Sequence, residues 1–393
     1  MPSDDDHPGS RISQQRKLAG YTQRGLAMKA GYSYSLVHQV ESGHKAASPD
    51  FTAACARALR IDVAVLTGQP YMTELQQDRL AELIRPIRES LDLYDLGADP
   101  DVSTRETPRL VEAAATLCRE VRATHLHKAA RTLPHLITEL TTAAHRKPSS
   151  ELWAALGSTY RTAHDITIKL GFYDLSTIAL DRMEWAAQRA SDPVLSAVRQ
   201  YMRGLVYHRE GEHTIGLRLV DAGRQLLVQA DETPESLAVA GQLHLGATVI
   251  AARARDEDVV RTRLAEAKQI ADRVGEMGHV HWLSFGPTNC AAHEVSALTE
   301  MGRHGEAVAK AKEIHMPASW PASRRAHVWI DRGRSEMETG RNDAALVSIT
   351  KARELAPQQT RYHPGARATI EGLVRRQRRT PDALGHISAW LGQ

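Results

Sequence analysis

Residues 22–43 read Thr-Gln-Arg-Gly-Leu-Ala-Met-Lys-Ala-Gly-Tyr-Ser-Tyr-Ser-Leu-Val-His-Gln-Val-Glu-Ser-Gly, and this stretch divides into two short amphipathic helices around a glycine. Thr22 is a natural N-cap, and Leu26, Ala27 and Ala30 repeat at helical spacing. Gly31 stands where a tight turn between helices needs positive φ. Ser33 is a second N-cap, Leu36, Val37 and Val40 form the next apolar face, and Gly43 suits the position just past a helix end. This pattern predicts the helix pair that enters the DNA major groove.

The charge distribution around this stretch agrees. The whole chain of 393 residues carries only +3, but between Arg11 and Pro70 eight basic residues face three acids, Glu41, Asp50 and Asp62. A cationic field confined to one segment suits a polyanionic partner. The three cysteines, Cys55, Cys118 and Cys290, are widely spaced and imply no disulfide framework, so a reducing cytoplasm is the expected location. No apolar leader and no apolar run of membrane-spanning length occurs, so no membrane partner is expected.

Outward from 22–43, residues 1–9 read as a polar, disordered tail and residues 10–70 as a five-helix domain, with helices at 10–19, 22–30, 33–42, 48–59 and 62–66. Residues 71–106 read as a connecting helix, kinked or divided at Pro86, followed by a linker at Gly97-Ala98-Asp99-Pro100-Asp101. Residues 107–393 are helix after helix, with no strand-like alternation. They also repeat. Trp153, Leu156, Gly157 and Tyr160 reproduce the W-x2-L-G-x2-Y opening of a tetratricopeptide repeat, and Trp329, Gly333, Ala345, Ile349, Ala352 and Pro357 keep the spacing of nearly a whole unit. Weaker copies follow Gly204 (with Tyr207, Gly216 and Gly223) and Gly246, with helices longer than the consensus. A generic helical bundle would bury similar faces, but it would not match by position. The expected fold is all-α: a five-helix N-terminal domain and a tetratricopeptide-like α-solenoid that senses and dimerises.

The N-terminal unit resembles the XRE family, with the lambda-repressor type of helix-turn-helix, through Arg16, Thr22-Gln23, Leu26-Ala27, Ala30-Gly31 and Val40-Glu41-Ser42-Gly43. The resemblance implies that Gln23 caps the second helix and binds a DNA phosphate, and that Arg16 and Glu41 form an ion pair locking the first helix to the recognition helix. Base reading falls to the start and outward face of that third helix, here Tyr34, Ser35, His38 and Gln39. Ser33 and Lys45 are placed to reach phosphates. Tyr34 stands where many relatives carry Gln or Arg, and Gly25 replaces a frequent Glu. Of the reading positions only Gln39 can make a bidentate contact to adenine.

The full layout is similar to actinobacterial XRE regulators with tetratricopeptide-like repeats. It is also similar to the peptide-responsive regulators of Gram-positive bacteria, whose repeats bind a signalling peptide in the concave face. That similarity implies a homodimer on double-stranded, palindromic DNA, controlled by a peptide or small-molecule effector. Candidate effector contacts by repeat phase are Arg161, Tyr201, His208 and Arg334, joined by Asn289 as a peptide-backbone clamp and Trp282 as a pocket wall. An alternative is a repeat adaptor whose helix-turn-helix is degenerate.

Other chemistries lack residues. His125/His127 and His279/His281 are two apart and point to different sides of a helix. Neither a Cys-x2-Cys, His-Glu-x2-His, P-loop, Gly-x-Gly-x-x-Gly nor Gly-x-Ser-x-Gly pattern occurs, so no metal, no cofactor and no catalytic set is expected. The basic run Arg375-Arg376-Gln377-Arg378-Arg379 reads as a solvated helix face.

Overall fold

The computed structural model describes residues 7–67, 74–376 and 382–391. It opens with five short helices: α1 (Pro8–Leu18), α2 (Gln23–Ala30), α3 (Tyr34–Glu41), α4 (Pro49–Leu59) and α5 (Val63–Thr67). Their limits follow from their caps. The hydroxyls of Thr22, Ser33 and Ser48 accept the N–H groups of Gly25, Leu36 and Phe51, each satisfying a donor that has no partner within its helix. Gly31 ends α2 in the left-handed region at φ 72°, which its missing Cβ permits. Thr22 is therefore the cap of α2 and Gln23 its first residue, a correction to the capping role expected of Gln23. The helix α1 begins at Pro8, inside the expected tail, because His7 and Ser10 cap each other's backbone N–H groups. The five helices close over a core of Ile12, Leu26, Val37, Val40, Phe51, Cys55 and Leu66.

The next helix, α6 (Glu74–Asp92), runs through Pro86 without dividing. Proline removes one backbone hydrogen bond there, but Ile84, Ile87 and Leu91 on both sides of it are buried in the main core. The linker that follows is strapped down: Arg146 donates to the carbonyls of Asp99 and Val102, and Arg105 pairs with Glu139.

The remainder is a solenoid of helical hairpins. Its helices are α7 (Thr107–Arg122), α8 (Leu126–Arg146), α9 (Ser150–Lys169), α10 (Tyr173–Ala190), α11 (Pro193–Glu210), α12 (His213–Leu227), α13 (Pro234–Arg253) and α14 (Glu257–Val274). After an antiparallel hairpin, β1 (Met277–Val280) and β2 (Leu283–Phe285), come α15 (Pro287–Glu300), α16 (His304–Glu313), α17 (Ala322–Glu338), α18 (Asn342–Leu355), α19 (Pro357–Tyr362), α20 (Pro364–Arg376) and α21 (Asp382–Leu391). Small residues set the spacing between paired helices. A Cβ added to Gly204 would lie 3.2 Å from the Gly216 carbonyl, and one on Gly333 would lie 3.0 Å from Ile349. The repeat positions Ala345, Ile349 and Ala352 are fully buried. The helices α9, α11, α13, α15 and α17 form the inner wall, and α7 touches both α9 and α17, so the wall closes on itself.

The β-hairpin departs from the all-helical expectation. Its strands of four and three residues are too short to register as alternation in sequence. Gly275 at φ 70° and Gly286 at φ 147° turn the chain into and out of it, and Phe285 fills a notch over Gly241, where an added Cβ would meet the ring. Among the described residues no helix is long and apolar enough to cross a membrane.

Candidate nucleic-acid interface

The frame of the helix-turn-helix is one buried ion pair. Arg16 Nε and Nη2 donate to the two oxygens of Glu41 at 2.6 and 2.8 Å, and Arg16 Nη1 donates to the Tyr21 carbonyl at 2.7 Å. Gln23 Nε2 adds a third donor to Glu41 at 2.9 Å. Burial alone would raise the Glu41 pKa, but the hydrogen bonds from Arg16 and Gln23 outweigh it and hold the carboxyl below its usual range. These bonds tie α1, α2 and α3 to one another, so the orientation of α3 is set by charge geometry as well as by apolar packing. Gln23 is thus committed in part to Glu41 and stays half-buried at the start of α2.

The outward face of α3 gathers the expected reading residues. Tyr34, Ser35, His38 and Gln39 are all exposed, as are Ser33 and Lys45. Tyr34 is 46% exposed, stacks on His38 with ring centroids 6.0 Å apart, and lies beneath the Arg24 guanidinium at 5.4 Å. Gln39 Nε2 donates to Ser35 Oγ at 3.3 Å, a weak local bond that a base edge can replace. Arg24, on the neighbouring end of α2, therefore joins this face. Its signal in sequence is its place as the second residue of α2, next to Gln23.

The opposite side of the domain is docked on the solenoid. Asp50 at the start of α4 accepts from Tyr32 at 2.9 Å and from Arg334 at 3.1 Å. Arg334 also donates to Glu300 at 3.0 Å, and Glu300 accepts from Arg253 at 2.6 Å. This ladder holds two acids and two guanidiniums, all at most 17% exposed. Burial opposes ionisation of Asp50 and Glu300, but the guanidiniums beside them keep both carboxyls depressed. Arg57 donates to the Gly211 carbonyl at the end of α11, so one of the eight N-terminal cations faces inward rather than toward a polyanion. Arg334 belongs to this ladder, and the His208 carbonyl joins it by accepting from Arg253 at 2.9 Å.

The other four candidate effector contacts meet in the solenoid interior. Arg161 donates to the carbonyls of His281 and Trp282, at 2.7 and 3.3 Å, at the tip of the β-hairpin. Asn289 Nδ2 donates to the Ser284 carbonyl at 2.7 Å and to Gln242 Oε1 at 2.9 Å, while Gln242 donates to the Tyr201 hydroxyl at 2.8 Å. Asn289 thus does clamp backbone, but the backbone is the chain's own. Arg324, Arg122 and Gln242 complete the network and carried no sequence signal, since polar residues on an inner helix face look like a solvated surface. In the basic run, Arg376 donates to Glu338 at 3.0 Å; residues 377–379 lie outside the described residues, as does the expected tail at 1–6.

Residues 9–67 match a family model described as a helix-turn-helix domain. This segment is an XRE-like helix-turn-helix domain. No curated protein matches the chain in sequence.

Proposed function

We propose that the chain is a sequence-specific DNA-binding transcriptional regulator that acts as a homodimer in the cytoplasm. Its tetratricopeptide-like repeats hold the two readers and take a peptide or small-molecule effector in their interior. One observation carries this reading: the helix-turn-helix domain is docked by α4, its far side, which leaves the whole reading face of α3 exposed. A domain degraded to a docking module has no reason to preserve a bidentate lock behind an exposed recognition helix.

In this reading α3 enters the major groove. Gln39 supplies the adenine-type contact, His38 and Ser35 single hydrogen bonds, and Tyr34 an apolar edge suited to a thymine methyl. Ser33, Lys45, Arg24 and the free N–H of Gln23 hold phosphates. Affinity then rests heavily on phosphate contacts and on the spacing of two readers over half-sites one helical turn, or a multiple of it, apart. No chemical step is part of the proposal.

Footprinting of the purified chain on its own upstream DNA at moderate salt tests it. A protected palindrome, lost in Gln23→Ala/Lys45→Ala, is the expected result. Absence of protection, or indifference to that double substitution, would favour the adaptor reading.

A further inference from the structure

The helices α7, α9, α11, α15 and α17 contribute polar side chains to the same interior, and the charges there do not balance. Arg122 comes from α7, Arg161, Asp165 and Lys169 from α9, Tyr201 from α11, Asn289 and His293 from α15, and Arg324, His327 and Asp331 from α17. Arg161 has Asp165 at 3.6 Å. Among the described residues Arg324 bonds to Asn289 Oδ1 at 2.8 Å and to His293 at 2.7 Å, both uncharged partners. Arg122 bonds to the carbonyls of Trp282 and Gly278 and to Ser284 Oγ. Lys169 makes no side-chain hydrogen bond or ion pair among the described residues. Four cations thus share two carboxylates, and Asp331 is pushed toward its neutral form by burial. Burial, with Arg161 and Arg324 nearby, pulls the Arg122 guanidinium down to about 10; burial and the nearby Arg161 and Arg122 pull Lys169 down against the attraction of Asp165.

Buried cations are normally paired, because an uncompensated one costs several kcal/mol. The docking ladder a short distance away obeys that rule with two acids for two guanidiniums; the interior breaks it. Three of these groups also keep accessible surface: the side chains of His327, Asp165 and Asp331 are 35%, 20% and 15% exposed. Besides Ser284, Gly278 and Asp165, Arg122 and Arg161 reach the peptide carbonyls of a strained turn. His281 and Trp282 both have positive φ, 42° and 62°, in a two-residue hairpin turn that favours Asn-Gly, and bulky residues there are held only when their surroundings enforce it.

We propose that this interior is a binding site for a small oxyanion, a phosphate or carboxylate head group, taken by Arg324, Lys169, Arg161 and Arg122, with the tip of the β-hairpin giving up its two guanidiniums as the anion enters. A charged oxyanion outcompetes neutral carbonyls for a guanidinium fork, and the hairpin tip relaxes when its carbonyls are released. The inference rests on reading the solenoid interior as the effector chamber and names the chemistry of what enters it.

Thermal unfolding of the full chain, titrated at constant ionic strength, tests it with two probes: inorganic phosphate, and tri-alanine against its C-terminal amide. A saturable rise in Tm on the order of 5 °C is expected with at least one oxyanion and none with the amide; the responding probe identifies the source of the head group. Lys169→Met, which breaks no hydrogen bond, should weaken the response about tenfold or more while leaving the ligand-free Tm unchanged or higher. Arg324→Met should abolish the response, with Arg324→Lys retaining part of it should the first variant fold poorly. The site is overturned by absence of any saturable shift, by a shift that persists in Lys169→Met and Arg324→Met (an anion on the basic N-terminal surface), or by a lower ligand-free Tm in Lys169→Met. Footprinting on the same samples separates the two readings. Loss of the anion response with DNA protection intact ends this inference alone, and an intact response without protection ends the regulator reading alone.

Discussion

The helix-turn-helix domain and the solenoid interior treat buried charge in opposite ways. In the domain, one guanidinium meets one carboxylate with both forks filled, and the side chains of Arg16 and Glu41 are 10% and 3% exposed. In the interior, cations outnumber acids and lean on neutral oxygens and imidazoles. A region built to keep its shape closes its electrostatic accounts internally. The interior, which we propose receives an anion, leaves them open, at a cost in stability that the surrounding apolar packing has to carry.

Acid should break the comparison most visibly. His164, His208 and His363 are held neutral by burial, with pKa values of about 4, 3 and 3; a neighbouring Arg253 adds to the effect at His208 and His327 at His363. The unfolded chain protonates each near pH 6.5. Stability therefore falls as pH drops below about 6.5 and keeps falling to the folded values, by at most about 1.4 kcal/mol per pH unit for each histidine. Glu41 has the same sign but a lower window: its folded pKa is depressed, so its contribution is full above the unfolded value of about 4.3 and is lost only as pH falls through the folded one. Circular dichroism melts from pH 7 to 5 should show the solenoid transition moving down by many degrees while the N-terminal domain holds. Parallel movement of both would contradict the contrast.

Glu41→Ala attacks the closed pair. It strands Arg16 beneath α3 and should cost about 3–5 kcal/mol, enough to melt a domain of this size. A separate early phase in urea unfolding, with DNA protection lost, is the expected readout. Gly241→Ala acts at the open region. Its methyl meets the Phe285 ring, and overpacking there should cost about 1–3 kcal/mol and loosen the hairpin, seen as faster amide exchange at 277–285 with the N-terminal domain unchanged. The smallest effect is expected from Lys45→Ala, which removes one of the proposed phosphate contacts. The slope of log affinity against log salt should fall by about 0.9 with base preference intact.

How legible each region was follows from the range of its interactions. Thr22, Gly31, Ser33 and Gly43 act within four residues of themselves, so their caps and turns could be read directly, and the reading face of α3 followed from helical phase. The Arg16–Glu41 pair spans 25 residues and was reached through resemblance rather than through spacing. The interior was opaque for a physical reason: Arg122 and Arg324 are distinguishable from solvated surface residues only when the wall closes, and that closure brings α7 against α17. Repeat phase placed Arg334 on an inner helix, yet its partner Asp50 lies 284 residues away. Pro86 and the hairpin misled in the usual manner of local signals, one overruled by packing and the other too short to show periodicity.

Gly211 ends α11 at φ 78°, and its own carbonyl receives Arg57 from the N-terminal domain; a Cβ there would strike that guanidinium and approach Ala53 at 3.4 Å. The two halves of the molecule thus meet closely across this seam. A side chain at this position would strain the left-handed backbone and push the Arg57 guanidinium off its carbonyl, leaving the Asp50–Arg334 pair to hold the two halves.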